Sequence, residues 1–100
     1  MQIFQKLSTW WSQSKAGQAQ EWGSTYLLRG DDEAAIRACS KALRLQPELN
    51  EARKTRGRAY YRLGDYDRSI EDFDTVLQAD RRCASAYLNR GMAHFAKGSI

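Results

Sequence analysis

Gly23, Gly57 and Gly91 lie 34 residues apart, and so do Gly30, Gly64 and Gly98. Two ladders with one shared period in a chain of 100 residues confine it to a repeat architecture, in which each unit buries its apolar face mainly against its neighbours. Cut at that period, the chain gives two full units, 16–49 and 50–83, and a half unit, 84–100, preceded by an N-terminal segment, 1–15. Matching columns are chemically alike. Trp22-Gly23, Arg56-Gly57 and Arg90-Gly91 align, as do Tyr26, Tyr60 and His94 three residues later. Ala35 aligns with Ser69, Cys39 with Phe73, Ala42 with Val76 and Leu43 with Leu77.

Each unit reads as two short helices joined by a glycine turn. Gly30 and Gly64 are followed by Asp31 and Asp65; glycine reaches the positive φ that ends a helix, and the aspartate accepts backbone N–H bonds at the start of the next. Gly23, Gly57 and Gly91 instead fall inside the first helix of each unit, where glycine costs about 1 kcal/mol relative to alanine. A close approach of the paired helix is the reason expected for that cost. The predicted fold is therefore all-α: an α-solenoid of antiparallel helix pairs, two and a half units long, with residues 1–15 as an amphipathic capping helix.

The pattern resembles the tetratricopeptide repeat, W-x2-L-G-x2-Y followed by A-x3-F and a proline over 34 residues. The resemblance covers roughly residues 16–98, and Ala59 to Ala79 match best. Arg53 and Arg56 depart from the pattern, replacing an aromatic residue and a leucine of the first helix of unit two, and Ala19 replaces the aromatic in unit one. Pro47 closes the first unit, whereas Arg81 holds that slot in the second.

A chain of this length suits one domain. No stretch is long enough to span a membrane. The start lacks the basic and small-residue features of a signal peptide. Cys39 and Cys83 fall in different repeat columns and imply neither a disulfide framework nor a metal site, so a reducing, cytoplasmic setting without a cofactor is expected. Ile3, Phe4, Leu7, Trp10 and Trp11 form one apolar arc on a helical wheel. Three readings stay open for that face: sealing the end of the first repeat, lying on a membrane surface, or self-association.

The resemblance implies that the first helices of the units line a concave groove. Its slots hold Gln20, Glu21, Ser24, Leu27 and Leu28 in unit one, and Glu51, Lys54, Thr55, Arg58, Tyr61 and Arg62 in unit two. The last half unit contributes Ser85, Leu88, Asn89, Met92 and Phe95. Independently of any family, Arg53, Lys54, Arg56, Arg58 and Arg62 put five cations into ten residues, and the following helix carries Asp65, Asp67, Glu71, Asp72 and Asp74. Lys54, Arg58, Tyr61 and Arg62 share one helical face. Guanidinium groups hold carboxylates in bidentate fashion, so this face suits an acidic peptide anchored by Tyr61, Leu88, Met92 and Phe95. The competing reading is that arginine stems pack between helices and pair with acids such as Asp72.

Some members of the family grip chaperone C-termini with a lysine/asparagine/arginine clamp. Its slots here hold Gln20, Ser24, Thr55, Ser85 and Asn89, which do not supply it. No paired nucleophile and base, metal-ligand spacing or phosphate-cradling loop is present, which argues against an enzyme. The charge balance, +4 overall, with a pI near 9.3, keeps single-stranded RNA as a rival ligand through helix 53–62, although the acidic helix beside it dilutes the field. The leading expectation is a scaffold that binds a partner's peptide or helix, with an assembly role among the functions implied. The last helix has no pairing helix within the sequence, so it is expected to end the array as a monomer, to pair with a second copy or a bound helix, or to belong to a longer array of which this sequence is a fragment. His94 is expected to pack rather than to react.

Overall fold

The computed structural model describes the backbone of residues 2–98 and the side chains from Lys15 to Gly98. Five helices follow one another: α1 (Gln2–Leu28), α2 (Asp32–Leu45), α3 (Asn50–Arg62), α4 (Tyr66–Ala79) and α5 (Ala84–Lys97). No strand occurs among the described residues.

The turns follow from the glycine-aspartate steps. Gly30 and Gly64 have φ of +83°, and Gly98 has +81°. At the first turn the Gly30 N–H bonds the Leu27 carbonyl at 3.1 Å and the Asp31 N–H bonds the Tyr26 carbonyl at 2.9 Å. The second turn repeats this, Gly64 to Tyr61 at 3.0 Å and Asp65 to Tyr60 at 2.9 Å. Both are the paired closure that satisfies the last carbonyls of a helix. The same aspartates then cap the next helix: Asp31 accepts from the Ala34 N–H at 3.1 Å and Asp65 from the Arg68 N–H at 3.3 Å.

Each helix packs on the next in sequence, and α1, α3 and α5 lie side by side. The core is built largely of alanine, with Ala16, Ala35, Ala42, Ala52, Ala59, Ala86 and Ala93 fully buried. Small side chains bring the helix axes close. A Cβ on Gly57 would lie 2.9 Å from the Phe73 ring and 3.3 Å from the Asp72 Cβ. The Ser69 hydroxyl donates to the Gly57 carbonyl at 2.7 Å across the same contact. Gly23 meets the Cys39 sulfur in the equivalent place. Gly91 meets nothing within 4 Å among the described residues.

The first helix departs from the expectation of a separate segment 1–15. It runs unbroken to Leu28, since no proline, cap or strong breaker interrupts residues 2–28; Gly17 alone is too weak a break. α1 thus extends well past α2, which has only 14 residues. The side chains of Ile3, Phe4, Leu7, Trp10 and Trp11, and hence the membrane and self-association readings of that face, lie outside the described residues. Among the described residues no helix is long and apolar enough to cross a membrane.

The two thiols sit in opposite settings. Burial pushes the Cys39 thiol up to about 11, whereas a hydrogen-bonding contact with Ser85 draws the half-exposed Cys83 thiol below its ordinary value. A thiolate is the reactive form. Titration with a disulfide reagent should therefore modify Cys83 promptly in the native protein and Cys39 only on unfolding. Equal rates at both sites would contradict this arrangement.

Candidate peptide-binding groove

The cluster of cations on α3 is used mostly inside the array. Arg53 donates to the Pro47 carbonyl at 2.8 Å. Arg56 grips Asp72 with two hydrogen bonds, Nε to Oδ2 at 2.9 Å and Nη2 to Oδ1 at 2.7 Å, and reaches the Ser40 hydroxyl with Nη1 at 3.2 Å. It thus bridges α2, α3 and α4 in the space a leucine was expected to fill. Tyr60 lies beneath the Arg56 and Arg68 guanidinium groups, with 5.9 Å from each to the ring centre.

Arg62 departs from the expected ligand role. Its Nη1 donates to the Leu27 carbonyl at 2.8 Å, and its Nε lies 3.2 Å from Asp32. Arg62 therefore ties α3 to the end of α1 and the start of α2, while its side chain stays 45% exposed. Lys54 forms an i,i+3 bridge to Glu51 at 2.8 Å. Arg58 differs from all of these: it is exposed, and no hydrogen bond or ion pair holds it among the described residues. Of these cations only Arg58 is left without an internal hydrogen bond or ion pair among the described residues.

The apolar half of the expected site does come together. Tyr61, one turn after Arg58, lines an open cleft of about 490 Å³ with Leu88, Met92 and Phe95. Its ring is steadied edge-on against Tyr66, 5.5 Å between centres. Leu88 is 65% and Phe95 76% exposed, unusually high for large apolar side chains grouped on one helix face. The cleft also takes in Tyr87 and Gly91. Their columns point to a paired helix rather than to the groove, so sequence reasoning left them out.

The remaining expected residues are occupied locally. Gln20 donates to Ser24 at 3.0 Å within α1, and the Asn89 side-chain amide donates to the Ser85 carbonyl at 2.7 Å. A second cavity of about 550 Å³ lies between α1 and α2, walled by Trp22, Tyr26, Ala38 and Leu45. It had no sequence signal beyond Trp22 standing where the later units carry arginine. Among the described residues no group of three or more potential ligands could hold a metal ion.

Paired helices, glycine contacts of one period and a side-by-side row of first helices define an α-solenoid repeat protein. The chain belongs to the tetratricopeptide repeat family: the Tetratricopeptide repeat description matches residues 22–49 and again 54–100. It is 35% identical over 77 residues to Tetratricopeptide repeat protein 12 of Mus musculus, a match that covers 77% of this chain and 11% of that protein. Among solved structures it is similar to the first TPR of Spaghetti (RPAP3) bound to HSP90 peptide SRMEEVD, with a TM-score of 0.81, 28% identity, and coverage of 87% of this chain and 71% of that one. It is also similar to the first TPR domain of the human RPAP3 protein, with a TM-score of 0.80, 27% identity, and coverage of 85% and 67%.

Proposed function

We propose that this chain is a protein–protein interaction scaffold that holds an acidic, partly apolar peptide of a partner across α3 and α5. Arg58 carries the reading, as an exposed guanidinium with no internal partner, one turn from an apolar cleft. A carboxylate of the guest pairs with Arg58, and an apolar side chain enters between Tyr61, Leu88, Met92 and Phe95. Lys54 joins when needed, because a partly exposed i,i+3 bridge such as Lys54–Glu51 is worth only about 0.3–0.5 kcal/mol and yields readily to a better anion. The likeness to a domain bound to SRMEEVD supports this: that peptide mixes apolar residues with several acids. The clamp slots are differently filled here, so Arg58 takes the carboxylate. Such a groove suits a factor that assembles partner complexes.

Selection from a random peptide library tests the assignment. Peptides rich in Asp or Glu beside Leu, Met or Val should emerge. Arg58→Glu should weaken them by about tenfold or more, the scale of a charged hydrogen bond lost and a like charge gained. The far-ultraviolet circular dichroism should stay unchanged, since the side chain has no internal contact to lose. Retention of the same peptides at the same affinity in the folded variant would end this reading.

A further inference from the structure

The two junctions between successive units are closed by different residues. At the first, Arg62 of α3 donates Nη1 to the Leu27 carbonyl and sets Nε 3.2 Å from Asp32. One repeat period later the column of Arg62 holds Ala96, and the column of Asp32 holds Tyr66. The ion pair of the second junction has moved one residue along both helices, to Lys97 and Asp67 at 2.5 Å. Tyr66 is thereby left out of the ionic link and is available for another contact.

That contact is with the cleft. Leu27 and Tyr61 share a column. Leu27 is only 6% exposed and packs with Ala35 and Ala59. Tyr61 is half-buried, lines the cleft, and meets Tyr66 at 5.5 Å with the ring planes 60° apart. Tyr66 is not part of the cleft wall. No hydrogen bond engages its hydroxyl among the described residues, so the ring alone makes the contact. The backbone that carries it is fixed on both sides: Gly64 and Asp65 close the turn from α3, and the Asp65 side chain caps α4 at the Arg68 N–H. A half-exposed aromatic side chain has more than one staggered χ1 open to it unless a neighbour selects one.

We infer that Tyr66 is a positioning residue for the peptide cleft. It holds the Tyr61 ring in the orientation that receives the apolar side chain of the guest, without touching the guest itself. The role of the guest rests on the groove reading above; the contact between the rings does not. A wall ordered before binding spares the complex the cost of ordering it afterwards.

Four variants test this with the peptides selected for the groove: Tyr66→Ala, Tyr66→Phe, Tyr61→Ala and the double alanine variant. Tyr66→Ala should weaken binding by about three- to tenfold, the scale of an edge-on aromatic pair, mostly through faster release. Tyr66→Phe should keep native affinity. In the Tyr61→Ala background Tyr66→Ala should add nothing, and a peptide whose apolar residue is changed to alanine should not feel it. In the free protein, the side-chain couplings of Tyr61 in nuclear magnetic resonance should pass from one rotamer to an average in Tyr66→Ala. No loss with Tyr66→Ala, or a loss of the same size with and without Tyr61, as a merely structural role would give, overturns the inference. So does a Tyr61 ring that keeps its single rotamer. Arg58→Glu reports on the groove reading separately: if it leaves the peptides unaffected while the two tyrosines still act together, the acid pairing is lost and the positioning role stands.

Discussion

Phe73→Ala should lower the unfolding free energy by about 3–5 kcal/mol, the range for emptying a buried aromatic site. Phe73 is fully buried and is the largest such side chain in the described structure. It is also pinned between α3 and the start of α5, where it clusters with Val76, Leu77 and Ala86. Small domains are stable by only about 5–15 kcal/mol in total, so this one ring carries a large share. At roughly 4–8 °C per kcal/mol for a domain of this size, the midpoint of thermal unfolding should fall by more than about 12 °C. The contact with Gly57 supplies a sharper check. In the native background Gly57→Ala destabilises, because its Cβ would lie 2.9 Å from the ring. In the Phe73→Ala background the ring clash is gone and only the 3.3 Å approach to the Asp72 Cβ remains, so the same change should be less unfavourable by about 1 kcal/mol or more. Urea unfolding of the four proteins gives both numbers. A Gly57→Ala effect of the same size in both backgrounds would show that the glycine is not there for the ring.

Arg56→Ala should be nearly as costly, about 3–5 kcal/mol, because it strands the Asp72 carboxylate. Asp72 is only 5% exposed, and both of its oxygens are taken by Arg56. The attraction to Asp72 in turn holds the Arg56 guanidinium more firmly protonated than usual. Removing both charges in an Arg56→Leu, Asp72→Leu protein should recover most of the loss, since a well-packed apolar pair of similar volume often equals or exceeds a buried ion pair. The single-variant loss should change little between low and high salt, as expected for a pair shielded from mobile ions. An Arg56→Ala cost below about 1 kcal/mol, or one that vanishes in salt, would place this pair among ordinary surface bridges.

The fold was legible because its determinants are local and periodic. Gly30 and Gly64 reach positive φ in turns closed by their own neighbours, and Asp31 and Asp65 cap the helix that immediately follows. The apolar half of the groove was legible for a related reason: Leu88, Met92 and Phe95 share one helix face by spacing alone. The cationic half was not. Whether Arg56, Arg58 or Arg62 meets a guest depends on which acids and carbonyls the packed helices bring to it. Asp72 lies sixteen residues from Arg56 and the Leu27 carbonyl thirty-five from Arg62. Helical periodicity fixes direction around one axis and carries no information about such partners. The continuity of α1 was obscured by a different bias: dividing the chain at the repeat period imposed a boundary near residue 15 where no breaker exists.

Among the described residues, every packing contact between helices joins elements that are one or two apart in order, and α1 and α5 share none. Nothing fastens one extremity to the other. Opening of α5, held chiefly by α4, therefore need not be transmitted to α1, and in a linear array of this kind loosening proceeds inward from an end.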